Sequence, residues 1–148
     1  MSVVRIAGLR TLLPLLSLAL PTAAIASYPP PSIFFEFDSA QIPENRAVDY
    51  ALEVASGRWR DGNGPGISIE GHADRSGPAS YNLELSRRRV EAVRDRLIER
   101  GVPLEAITIE WWGETRPLVE TADGVREAQN RRVEFVIEGW WDGWENRR

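Results

Sequence analysis

The chain has 148 residues and no cysteine, which excludes a disulfide framework and removes the thiolates that would complete a small metal shell. It has no lysine either: all 18 basic residues are arginine, so no side-chain amine is present for covalent amide attachment to another polymer. Histidine occurs once, at position 72, too few for a histidine-built metal site. Long apolar runs are equally scarce. The best candidate, Leu12 to Leu20, is broken by Pro14 and followed by Pro21 and Thr22, short of the roughly 20 apolar residues that cross a bilayer. A large excess of positive charge is missing as well. The formal net charge is −4, which makes nucleic acid an unsuitable partner.

What is present begins with an export signal. Arg5 and Arg10 supply a positive start, Leu12 to Leu20 a short apolar stretch, and Ala24-Ile25-Ala26 a small-x-small cleavage site, so residues 1–26 read as a signal peptide. Without a cysteine at that site no lipid anchor is expected. The two arginines are the only charges of the segment, so its removal leaves a more acidic mature chain. Tyr28-Pro29-Pro30-Pro31 follows within a stiff linker, residues 27–31, that can neither continue a helix nor donate to a sheet.

From there the hydrophobic pattern alternates between periods. Ile33, Phe35 and Phe37 recur every second residue and predict a strand. With Pro43 at its start, the stripe Val48, Ala51, Leu52, Ala55 predicts a helix ending at Gly57. Asp61 to Gly66 reads as a loop, and Ile67 and Ile69 predict a second strand running into Gly71. Leu83, Val90, Val93 and Leu97 predict a long helix closed by Gly101-Val102-Pro103. Ile107, Ile109 and Trp111 predict a third strand, Asp123 to Gln129 a short helical turn, and Val133, Phe135 and Ile137 a fourth strand. Such an order fits an α+β or α/β sandwich with helices packed on one sheet. Right-handed crossovers put both helices on one face if the strands they join run parallel. The tail, residues 139–148, carries Trp140, Trp141 and Trp144 and falls outside the pattern.

The chemistry concentrates in Gly71-His72-Ala73-Asp74-Arg75-Ser76-Gly77 and the helix after it. Asp74 sits in a turn, where an Asx-type structural role competes with a ligand role. Asn82, Ser86 and Arg89 stand at i, i+4 and i+7, a polar stripe bordering the apolar one, with ordinary helix surface as the rival explanation. If Asp74 and Arg89 converge, the carboxylate accepts from an ammonium and the guanidinium forks onto a carboxylate, a clamp for a zwitterionic amino-acid head group. Arg89 lies about 13 Å along a helix beginning near Ser80, so the preceding loop must overhang the sheet for the two to meet.

These residues, together with Gly113-Glu114-Thr115-Arg116-Pro117 and Asn130-Arg131-Arg132-Val133-Glu134-Phe135, resemble the OmpA-like C-terminal, peptidoglycan-binding family over roughly Ile33 to Glu138. The resemblance implies an α+β, OmpA-like β/α/β/α/β two-layer sandwich spanning residues 32–138, with one four-stranded sheet, two main helices and one short helix. It implies non-covalent, non-catalytic binding of peptidoglycan through the diaminopimelate of the stem peptide. Asp74 would take the ammonium and Arg89 the carboxylate, flanked by Asn82 and Asp38, with no cofactor and no metal. Asn130 and Arg131 would be structural. The implied place is the periplasm, against the outer membrane and cell wall, with outer-membrane proteins as further partners. Trp111 stands where the family usually has glycine, and its bulk bears on access to the pocket.

Two rival classes deserve comparison. His72 and Asp74 can be drawn as a metal pair or as part of a catalytic triad, but no second histidine or cysteine completes a shell, and Ser68 and Ser76 lack a nucleophile-elbow context. The other rival is a protein-interaction module that has lost the ligand and docks through its tryptophan tail, where Asp142 and Glu145 disfavour anionic lipid.

Overall fold

The computed structural model describes residues 31–60 and 66–137. The signal peptide, most of the linker, the loop at 61–65 and the tryptophan tail lie outside the described residues. Strand β1 (Ser32–Phe34), helix α1 (Arg46–Arg58), strand β2 (Ile67–His72), helix α2 (Ala79–Glu99), strand β3 (Ile107–Gly113) and strand β4 (Arg132–Ile137) follow in that order. Short 3-10 turns occupy Leu104–Ala106 and Ala128–Asn130. The single sheet runs β1-β4-β2-β3, with β4 antiparallel to both neighbours and β2 parallel to β3. This is an α+β fold, a mixed four-stranded sheet carrying two helices.

Both helices cover the same face. Val48, Ala51, Leu52 and Ala55 of α1 and Val90, Val93 and Leu97 of α2 join Ile33, Ile67, Ile69, Val133 and Phe135 in one buried cluster. The α1 stripe is therefore as the periodicity predicts, but the helix starts later than Pro43. Asn45 is its N-cap, accepting from the Val48 amide at 3.0 Å, the role for which a short amide side chain is suited. At the other end of the sandwich α2 is closed by Gly101, whose φ of 88° is open to glycine; its amide reaches Ile98 O at 2.9 Å and that of Val102 reaches Leu97 O at 3.1 Å.

Four expectations need correction. The first strand stops at Phe34: Phe35 is buried and still bonds Arg131 O at 2.8 Å, but Phe37 is 42% exposed. The buried stripe of α2 runs through Leu85 rather than Leu83, which is 45% exposed. Asn82, Ser86 and Arg89 belong to that buried face instead of bordering it, because their polar atoms find partners on the strand ends below. The short helix is confined to Ala128–Asn130, while 123–127 is turn and coil.

The close approach of α2 to the sheet depends on Gly71. A Cβ there would lie 2.5 Å from Ser86 O and 2.7 Å from Val90 Cγ1. The face away from the helices is polar. Register places Glu134 opposite Glu70 and Glu70 opposite Glu110. Burial, then the Glu110 charge, push the Glu70 carboxyl up, with Glu134 adding to this and Arg116 opposing it. Trp112 donates to Glu70 at 3.0 Å, and the Arg116 guanidinium lies 3.3 Å over its ring.

Candidate functional site

Strands β1, β2 and β3 all run toward one end of the sheet, so the segments that follow them gather there, with the approach to β4. Ser86 ties this end together: its hydroxyl donates to Leu83 O at 2.7 Å and accepts from the Gly113 amide at 3.0 Å. The β2–α2 loop is clasped to the β3–β4 loop by Arg75, which donates to Thr121 O at 2.8 Å and accepts from the Gly124 amide at 2.6 Å. Asn130, fully buried, accepts from the Leu118 and Val119 amides at 2.8 Å each and donates to Val119 O at 2.7 Å, fixing the far loop.

Asp74 lies in this closure and is 3% exposed. One oxygen accepts from the Ser76 hydroxyl and amide; the other accepts from Arg131 Nη1 at 3.0 Å and from the Glu127 amide at 3.3 Å. Burial works against ionisation, but the Ser76 and Arg131 side chains and the two amides outweigh it and hold the carboxyl below its usual range. Asp74 thus organises its own turn through Ser76, the Asx-type role, and pairs with Arg131 across the loops.

Arg89 is fully buried. Its Nε donates to Ser39 O at 2.9 Å, Nη1 to His72 O at 2.9 Å, and Nη2 to Glu36 O at 3.4 Å, while the guanidinium carbon stands 5.2 Å over Phe35. Loss of hydration pulls its pKa down to about 10; Asp74 opposes this and Arg131 reinforces it, so the group remains cationic at neutral pH. The longest of the three bonds is the one to Glu36 O.

The flanking pair divides. Asn82 is 3% exposed and donates to Asp74 O at 2.9 Å, Gly77 O at 3.1 Å and the Glu114 carboxylate, so it shapes the loop that presents Asp74. Asp38 is exposed on the rim, with left-handed φ of 54°, and accepts from the Tyr81 hydroxyl. No hydrogen bond or ion pair among the described residues joins Trp111 to Asp74, Asn82, Arg89 or Asp38, and Trp111 is 38% exposed on edge strand β3. His72 is 2% exposed, and no group of acidic or histidine side chains among the described residues has the arrangement to hold a metal ion.

Arg131 is the residue that sequence reasoning undervalued. Besides its 3.0 Å pair with Asp74 it donates to Phe35 O at 3.1 Å, linking β1, β2 and β4. Its place in Asn130-Arg131-Arg132 was the available signal, but nothing in linear spacing points from position 131 to position 74.

At the loop end of an α+β sandwich the chain thus holds a buried carboxylate paired with Arg131 and within the field of Arg89. The chain belongs to the OmpA family, whose model matches residues 34–131. It is 39% identical to a peptidoglycan-associated lipoprotein of Rhizobium meliloti over 108 residues, covering 72% of this chain and 60% of that protein. It is 35% identical to outer membrane porin F of Pseudomonas aeruginosa over 105 residues, covering 70% of this chain and 29% of the porin. The chain thus spans between 29% and 60% of the length of these two relatives. The crystal structure of the peptidoglycan-associated lipoprotein from Burkholderia pseudomallei superposes with a TM-score of 0.64 at 30% identity, covering 72% of this chain and 89% of that one. The C-terminal domain of Helicobacter pylori MotB shares the fold at a TM-score of 0.57 and 22% identity, with 72% and 82% covered. Relatives described as lipoproteins lend no support to the expectation that a lipid anchor is absent.

Proposed function

We infer that this chain is a non-catalytic peptidoglycan-binding domain of the bacterial periplasm, and that it helps hold the outer membrane to the cell wall. The observation that carries the reading is the Asp74 carboxylate, ionised and buried between Arg131 and the Arg89 guanidinium at the loop end of the sheet. It is supported by the likeness to peptidoglycan-associated lipoproteins over most of the described domain.

The ligand group is the zwitterionic head of diaminopimelate in the stem peptide. Its ammonium shares Asp74 with Arg131, and its carboxylate replaces Glu36 O on Arg89. Asn82 holds the loop, and Asp38 offers a second acceptor at the rim. Since Arg89 already bonds three backbone carbonyls, Arg89→Ala removes structural bonds together with the ligand contact. Asp74→Asn is the cleaner probe, being nearly isosteric.

Co-sedimentation with purified diaminopimelate-type peptidoglycan tests this reading, with circular dichroism verifying that the variant is folded. Asp74→Asn is expected to weaken binding about tenfold or more, as loss of a charge-assisted contact implies. Sedimentation equal to wild type would overturn the assignment.

A further inference from the structure

We propose that Arg126 is a specificity-determining residue, receiving a second carboxylate of the ligand next to the head group held at Asp74 and Arg89. The proposal rests on the peptidoglycan reading above and extends it. Arg126 precedes Glu127, whose amide donates to Asp74 at 3.3 Å. Its guanidinium carbon lies 3.7 Å over the ring of Phe37, which is 42% exposed and adjoins Asp38. One side chain thus spans the rim between the β3–β4 loop and the segment after β1.

The chemistry follows from what Arg126 does not touch. Arg87, Arg94, Arg100, Arg131 and Arg132 each bond a carboxylate, whereas Arg126, like Arg88 on Tyr81, has only its ring contact among the described residues. Two acids close in sequence to Arg126 or to Phe37 bond other groups: Asp38 accepts from Tyr81, and Glu127 from the Gln129 amide at 3.0 Å. A guanidinium resting on an aromatic face keeps its in-plane donors free for a planar anion, with part of its rotamer freedom already lost. In a peptide whose diamino acid contributes one ammonium and one carboxylate as the head group, the next anion available is a carboxylate of the residue before or after it.

Calorimetry on the full chain with three synthetic peptides separates the two sources. One peptide has the carboxylate before the diamino acid free, one the carboxylate after it, and one has both amidated. Wild type is expected to bind one of the first two about three- to tenfold more tightly than the doubly amidated peptide, the range for a partly exposed charge-assisted pair. Arg126→Gln should erase that preference while leaving affinity for the doubly amidated peptide unchanged, and Arg126→Lys should restore part of it. Equal binding of all three peptides by wild type, or a preference that survives Arg126→Gln, overturns the role of Arg126 and leaves the head-group site standing. Failure of wild type to bind any of them overturns both.

Discussion

Asp74 shows why a single residue type in a motif could not be assigned from its neighbours. Its turn role was readable, because Ser76 is two positions away and Asx turns are local. Its ion pair with Arg131 was not, because 57 positions intervene and only the sheet order brings β4 beside β2. The pairing has a pH consequence. The folded-state carboxyl lies below its ordinary value of 3.8, so the ionised form contributes stability above that value, and the contribution is lost as pH falls through the depressed one. Thermal melts should therefore show wild type losing stability below about pH 4. Asp74→Asn should start about 1–3 kcal/mol lower at neutral pH, with Arg131 short of its partner, and decline less steeply in acid. Identical acid limbs for the two proteins would contradict the linkage.

At the scale of elements, the helix and strand periods placed both long helices and the last three strands, because each turns a periodic set of apolar side chains toward one shared core. Phe37 misled the reading of β1: its alternation continues the pattern, but the chain turns away once Phe35 is buried. Leu83 misled the reading of α2 for a related reason. The face that packs on the strand ends includes Asn82, Ser86 and Arg89, which hydrophobicity alone assigns to the surface. What brings that face so near is Gly71. Gly71→Ala is expected to destabilise the domain by about 1–3 kcal/mol in urea unfolding, the cost of overpacking a close contact. Adding Val90→Ala should recover only part of this, since the nearest clash is with the Ser86 backbone. An unchanged unfolding midpoint for Gly71→Ala would show that the helix can retreat freely.

For the whole molecule, the strand directions set a polarity. Ile137 lies at the end of the sheet opposite Asp74, level with Ile67 at the start of β2, while Ser32 is level with Glu134 and Glu70, because β1 runs parallel to β2 and β4 antiparallel to both. The segments that follow β1, β2 and β3 build the site end of the sheet. A fragment of residues 31–137 is expected to melt within a few degrees of the full chain and to bind peptidoglycan equally well, measured by calorimetry and co-sedimentation; a large loss of either would place an essential part of the domain outside those bounds. The sequence by itself determined the order of elements, the apolar faces and the motif that supplies Asp74 and Arg89, since these follow from local periodicity and turn chemistry. Only the tertiary structure decided that Asp74 pairs with Arg131, that Arg89 is buried under the carbonyls of Glu36, Ser39 and His72, and that Arg126 reaches Phe37. Those contacts depend on which strand ends and loops become neighbours, and long-range adjacency leaves no mark on local spacing.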